Sequence, residues 1–382
     1  MKNIYGKDFK LGILGGGQLG RMFIQEAINY NVNVFVLDPA QDAPCAAVTP
    51  HFTVGNFNDF ETVYAFGKDK DILTIEIEHV NVPALKKLEA EGVKVYPQPS
   101  ILEMIKDKGL QKKFYQKHNI ATAPFLLVEN KKEAIEAMNE GPWMQKMRTG
   151  GYDGKGVTPL RNNDDIEKAF DVPSVLEKFV DFEKEIAVIV ARNKQGQIKT
   201  FPVVEMEFNA EANLVEFQFS PANLSQQQEK HAEAMAAHIA EKLELIGILA
   251  VEMFVTKSGE ILVNEMAPRP HNSGHQTIEG NFTSQYEQHL RAICNLPLGN
   301  TDIITPAVMI NILGEKGFSG PAQYEGLNTV MEMPGTYVHL YGKTETKPFR
   351  KMGHCTVIHK DLETAKKMAR EVMKTLKVLS TQ

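Results

Sequence analysis

Apolar residues in the first third of the 382-residue chain fall into short runs that alternate with helical patterns and turn residues. Lys10–Leu14 predicts a strand, GGGQLGRMFIQEAINY a glycine turn opening an amphipathic helix, and Val32–Leu37 a second strand. ILTIEIEHV predicts a further strand, with Glu76 and Glu78 on one face and His79 at its end, and Val93–Tyr96 another. Strands alternating with helices predict a parallel sheet, whose ligands lie beyond the carboxyl ends of its strands. Gln18, Glu76 and His79 would then meet at one crevice. PQPS closes this region, and Ile101–His118 predicts a single helix whose Lys106, Lys108, Lys112 and Lys113 read as a solvated face.

The pattern then changes to strand after strand. PWMQKMR predicts a strand carrying Lys146, and RTGGYDGKGVTPL a glycine-rich hairpin loop. Backbone N–H groups in such a loop approach phosphate oxygens closely. It lacks GK[ST] and opens no helix, so it reads as a flap over a nucleotide and not as a Walker A loop. VPSVLEKFVDFEKEIAVIVAR predicts strand, break, strand: Glu177, Lys178, Phe179 and Val180 would line an adenine slot, with Glu185 on the ribose. Val203–Phe208 and Leu214–Ser220 are further strands, and Gln226–Leu245 is a long helix stopped by Gly247.

AVEMFVTKSGEILVNEMAP predicts a β-hairpin turning at Gly259. With a side-chain period of two, Glu252 and Glu265 on facing strands converge across the ladder. Two carboxylates beside Asn264 make a hard oxygen site suited to Mg²⁺ that also holds phosphates. The loop that follows carries Arg269, His271, Asn272 and His275, groups suited to an anion beside a metal. After a helix over Ser284–Cys294 the chain is mixed from about Thr305, and YGKTETKPFRKMGHCTV places Lys343, Arg350, Lys351 and His354 on a basic turn.

The length predicts two or three domains. A net charge of −6 argues against a nucleic-acid surface. No apolar run reaches the roughly 18 residues a membrane helix needs, and the amino terminus has no signal-peptide core, so a cytoplasmic location is expected. Cys45, Cys294 and Cys355 are isolated and read as free thiols. Gly15, Gly17 and Gly20 satisfy G-x-G-x-x-G with Asp38 downstream, so an NAD-dependent oxidoreductase stays open, although Asp38 could instead hold its own proline-containing loop.

GGGQLGRM, IEIEHV, KMRTGGYDGKGV, EKFV, VNEMAPRPHNSGH and YGKTETKPFRKMGH span nearly the whole chain. Together they resemble the ATP-grasp superfamily and, within it, the N5-carboxyaminoimidazole ribonucleotide synthetases. The resemblance implies mixed α/β and α+β architecture: a Rossmann-like ribonucleotide-binding domain (1–105), an ATP-grasp domain (106–300, flap about 120–182) and a C-terminal α/β domain (301–382). It implies carboxylation of 5-aminoimidazole ribonucleotide with ATP, Mg²⁺ and bicarbonate, through carboxyphosphate, by a homodimer. Lys108 and Lys146 would contact the ATP phosphates, covered by Gly151, Tyr152, Asp153, Gly154, Lys155, Gly156 and Val157. Glu177, Lys178, Phe179, Val180 and Glu185 would hold adenine and ribose, and Glu252 and Glu265, with Asn264, the Mg²⁺. Gln18, Leu19, Glu76 and His79 would take the ribonucleotide's ring and ribose. Its phosphate or amine would fall to Tyr152, Asp153, Lys155, Lys343, Arg350 and Lys351, with Asp153 handling the amine proton. Arg269 and His271 would hold bicarbonate. The chain departs from the family's usual residues at Phe208 and Val157, and in having no aromatic after Glu76. A formate-using glycinamide ribonucleotide transformylase and a non-catalytic nucleotide-binding module also stay open.

Overall fold

A computed structural model describes residues 3–151, 156–209 and 214–381. Strands β1 (Leu11–Leu14), β2 (Val34–Asp38), β3 (Phe52–Val54), β4 (Ile72–Ile75) and β5 (Lys94–Val95) form a parallel sheet in the order β3-β2-β1-β4-β5. Helices α1 (Gln18–Asn29), α2 (Phe60–Gly67) and α3 (Val82–Ala90) make its crossovers. The near-continuous apolar β1 and β4 are buried throughout, as a sheet covered on both faces requires. The strand order reverses between β1 and β4, so the crevice opens where Gly15 follows β1 and Glu76 follows β4. β4 is shorter than the sequence predicts. It ends at Ile75, and Glu76, Glu78 and His79 stand on the loop beyond it.

The expected helix from Ile101 to His118 is two: α4 (Pro99–Ile105) and α5 (Lys108–Lys117). Asp107 breaks them, its Oδ1 accepting from the amides of Gly109 (2.7 Å) and Leu110 (3.1 Å) as the cap of α5. The same carboxylate holds Arg148 in two bonds of 2.9 and 2.6 Å. That partner, far along the chain, fixes the break.

Strand β6 (Phe125–Val128), helix α6 (Lys131–Ala137) and strands β7 (Trp143–Met147), β8 (Val157–Leu160) and β9 (Ser174–Lys178) build a small layer with sheet order β6-β9-β7-β8. It has its own core around Trp143, Leu160 and Leu176. The glycine loop joins β7 to β8, which pair Lys146 with Val157.

Next come β10 (Phe182–Arg192), β11 (Ile198–Thr200), β12 (Val204–Asn209), β13 (Leu214–Ser220), helix α7 (Gln226–Lys242), the hairpin β14 (Gly247–Thr256) and β15 (Ile261–Ala267), and helices α8 (Thr277–Gly280) and α9 (Gln285–Ile293). Helix α7 stops at Lys242, with Glu244 at φ 48°, before Gly247 begins β14. Val251, Met253, Val255 and Val263 face inward onto Ala232, Ala236 and Ile239 of α7, which leaves the alternate positions of β14 for the cleft.

Strands β16 (Ala307–Leu313), β17 (Gly320–Glu325), β18 (Thr336–Leu340), β19 (Glu345–Thr346), β20 (Lys351–Ile358) and β21 (Lys377–Ser380), with helices α10 (Leu327–Met331) and α11 (Leu362–Thr375), complete the chain. One antiparallel path, β15-β14-β10-β12-β13-β16-β20-β18, runs from the acidic hairpin into this last region.

Candidate active site

Glu252 and Glu265 are register partners on β14 and β15, as the hairpin pattern predicts. The register slips immediately beyond them, pairing Met253 with Val263. Asn264 is thus the extra residue of a β-bulge. Strict alternation would aim Asn264 and Glu265 to opposite faces, and the bulge re-aims one of them. Asn264 Oδ1 accepts from Lys146 Nζ at 3.1 Å, and Glu265 Oε2 from Lys108 Nζ at 2.8 Å.

The electrostatics of the pair are unequal. Lys108 holds Glu265 well below the usual carboxylate range. Burial, then the facing Glu265, push Glu252 well above it. The facing carboxyls are thus pushed in opposite directions, the behaviour of like charges that a divalent cation would relieve. Burial also raises Glu185, on the neighbouring strand, to about 7.

Glu177 is only 4% exposed. Its carboxylate lies 3.0 Å from Lys146 Nζ and 3.3 Å from Lys112 Nζ, which leaves the backbone of this stretch, not this side chain, to face an adenine. Lys178 alternates to the opposite face of β9, where its ammonium lies 3.6 Å from the centre of the Trp143 ring and donates to Glu140 O at 2.6 Å. Phe179 remains exposed at 39%, with the Arg161 guanidinium over its ring, and Val180 beside it is half-buried. Of the glycine loop, Gly151, Gly156 and Val157 are described and half-buried. Tyr152, Asp153, Gly154 and Lys155 lie outside the described residues.

Lys112 is a site residue that the sequence pattern does not single out. It is 2% exposed, and burial lowers its ammonium to about 8. The available signal is its spacing: positions 108 and 112 share one helix face, and the family resemblance assigns Lys108 to the nucleotide. Glu78 is a second. Its Oε1 lies 2.8 Å from Arg269 Nε, joining the parallel-sheet domain to the loop after β15.

On that loop His271 Nδ1 accepts from the amide of Ser273 at 3.3 Å, and Nε2 stands 3.5 Å from Glu252 Oε1. Burial, then Arg269 and Lys351, lower the imidazole to about 3. It is neutral at physiological pH, with its hydrogen on Nε2 facing Glu252.

At the other end of the cleft Glu76 Oε2 accepts from Gly20 N at 2.6 Å. Helix α1 has no side-chain cap of its own, and Glu76 fills its N-terminus instead. A Cβ on Gly17 would stand 2.1 Å from Glu76 Oε1, so that glycine makes room for a carboxylate, not for a pyrophosphate. Burial raises Glu76 to about 7. Asp38 accepts from Gly16 N at 2.7 Å and Ala40 N at 2.8 Å, holding the glycine turn and its own loop. The dinucleotide fingerprint is thus satisfied internally, which corrects the oxidoreductase reading. Gln18 and Leu19 begin α1 beside this crevice, and His79 is exposed at its rim.

The C-terminal turn closes the same side. Lys343 Nζ donates to Lys351 O at 2.7 Å, and Arg350 Nη1 to Glu345 O at 2.7 Å. Burial, then Arg350, lower Lys343 to about 8, while Glu76 pulls it upward. Lys351 acts electrostatically on both Glu252 and His271. The turn, the anion loop and the acidic hairpin therefore border one cleft.

A small sheet with a glycine loop, facing a carboxylate hairpin and sending lysines toward it, defines an ATP-grasp ligase. Three domain families match in sequence: the ribonucleotide synthetase preATP-grasp domain over residues 9–106, the ATP-grasp domain over 113–286 and the phosphoribosylaminoimidazole carboxylase C-terminal domain over 307–368. The N5-carboxyaminoimidazole ribonucleotide synthase of Bacillus subtilis is 39% identical over 358 residues, covering 91% of this chain and 90% of that one. The crystal structure of the N5-carboxyaminoimidazole ribonucleotide synthetase from Thermotoga maritima matches with a TM-score of 0.90 at 44% identity, covering 98% of this chain and 100% of that one. The Aspergillus clavatus enzyme, solved with ADP and 5-aminoimidazole ribonucleotide, matches with a TM-score of 0.86 at 32% identity, covering 96% of this chain and 98% of that one. The chain spans 65% and 67% of the length of plant and yeast phosphoribosylaminoimidazole carboxylases. It belongs to the N5-carboxyaminoimidazole ribonucleotide synthase family, whose ATP-grasp domain binds ATP. Among the described residues no helix is long and apolar enough to cross a membrane.

Proposed function

We propose that the chain carboxylates the exocyclic amine of 5-aminoimidazole ribonucleotide with ATP and bicarbonate, giving N5-carboxyaminoimidazole ribonucleotide, ADP and phosphate. The observation that carries this reading is the convergence, on one cleft, of the Lys108/Lys146 ammoniums, the Arg269–His271 loop and the Lys343/Lys351 turn. Those are sites for a nucleoside triphosphate, a small anion and a phosphorylated substrate.

Bicarbonate is a poor electrophile. Its oxygen attacks the γ-phosphorus as the bond to ADP breaks, and the resulting carboxyphosphate then loses phosphate from carbon. The amine forms its N–C bond to the carbon dioxide released and gives up a proton, which we assign to Asp153 on the family resemblance alone. Lys108 and Lys146 neutralise charge on the transferring group. Arg269, held at its base by Glu78, and neutral His271 orient the bicarbonate. The family's homodimer belongs to the same reading.

The donor set fits magnesium: two facing carboxylates and an amide on a bulge, with charge that a cation would balance and positions left for phosphate oxygens. Glu252 and Glu265, with Asn264, would hold it, and when bound there magnesium would offset charge on the phosphates.

ADP release, measured with 5-aminoimidazole ribonucleotide or glycinamide ribonucleotide and with bicarbonate or formate, tests the proposal. Turnover is expected only with the first of each pair. Turnover with formate and glycinamide ribonucleotide alone would replace this function.

A further inference from the structure

Lys112 sits where three elements meet. From α5 its ammonium reaches Glu177 on β9 and donates to Thr122 Oγ1 at 2.6 Å; the Thr122 hydroxyl donates to Val263 O at 2.7 Å. Val263 immediately precedes the bulge of Asn264 and Glu265, and its own amide donates to Ala121 O at 2.8 Å. Glu177, almost wholly buried, lies between the ammoniums of Lys112 and Lys146. The three groups together carry one net positive charge. Remove Lys112 and the pair that remains is neutral, with the whole carboxylate charge drawing Lys146 inward.

We infer that Lys112 is a positioning residue of the nucleotide site: through Glu177 it sets where the Lys146 ammonium stands and how much positive charge that ammonium presents to a nucleotide phosphate. The inference rests on the nucleotide-site reading above. Lys112 itself is buried against Glu177. Its action is indirect, and so depends on the carboxylate that transmits it.

Calorimetric titration of the full-length chain with ADP separates the two claims. Saturable binding to the unaltered protein tests the nucleotide site. Lys112→Met should then weaken ADP about tenfold, the scale of one charge-assisted hydrogen bond. Lys112→Arg should restore affinity to within about threefold, and KM for the ribonucleotide should stay within about twofold. In a Glu177→Gln background the transmitting charge is gone, so adding Lys112→Met should change ADP affinity by less than about twofold. The double variant buries no unmatched carboxylate and carries the test even if Lys112→Met alone does not fold. Unaltered ADP affinity in folded Lys112→Met, or a melting temperature that falls while affinity holds, overturns the inference. So does a further loss of about tenfold in the Glu177→Gln background.

Discussion

Lys343 and Lys351 form one structure: the ammonium of the first donates to the backbone carbonyl of the second at 2.7 Å. Lys343 lies outside any strand while Lys351 begins β20, so the bond ties a loop charge that feels Glu76 to a strand charge that acts on Glu252 and His271.

Lys351→Ala should raise KM for the ribonucleotide about tenfold to a hundredfold, the loss of one charge-assisted bond to a phosphate. KM for ATP should change far less. Steady-state kinetics with each substrate varied in turn would show it, and an equal loss for both would make this turn a mere surface.

Lys343 gives a pH dependence of definite sign. Its ammonium is lowered to about 8, and only the protonated form attracts a phosphate. kcat/KM for the ribonucleotide should therefore fall as pH rises through about 8, since that parameter reports groups of the free enzyme. Lys343→Met should lower the plateau and abolish this limb. A limb that persists in the variant assigns it to another group.

Glu265→Gln removes one carboxylate of the facing pair and the partner of Lys108. ADP formation should fall about a hundredfold or more, because the magnesium proposed for this hairpin would lose an anionic ligand. Circular dichroism should show an unchanged fold. Near-normal turnover at ordinary magnesium concentrations would remove the metal from this hairpin.

NAD should show no saturable binding up to about 1 mM, a free energy that any real pocket exceeds. Glu76 already occupies the amide of Gly20, and Asp38 those of Gly16 and Ala40. A titration that saturates at micromolar NAD would require both carboxylates to vacate the turn.

What is legible in the sequence is what a short period encodes. The apolar alternation of β14 and β15 announces a hairpin, and a period of two is enough to face Glu252 with Glu265. The bulge at Asn264 is not legible, because an inserted residue looks like any other polar position until its partner strand is in place. The break at Asp107 is hidden similarly: the stretch contains no proline there, and the cap is anchored by Arg148, 41 residues away. Lys112 reads like the exposed Lys113 beside it, because burial of a lysine is decided by a carboxylate on another element; Lys106 and Lys108, expected on the same solvated face, are likewise held inward, by Val80 O and Glu265. Glu76 is the opposite case. Its place at the crevice follows from the strand pattern, but its use as the cap of α1 depends on two segments separated by 56 residues.

The single ladder from β15 to β18 also limits how the protein can be shortened. Phe217–Ser220 of β13 pair directly with Ala307–Ile310 of β16. A chain ending after α9 would present β13 as a raw edge, with Phe217 and Phe219 stripped of the core they share with Val308 and Val357. Such an apolar edge is a template for strand addition between molecules. The C-terminal region therefore serves as a molecular selvedge: besides carrying the basic turn, it keeps the nucleotide-binding sheet from fraying into aggregates.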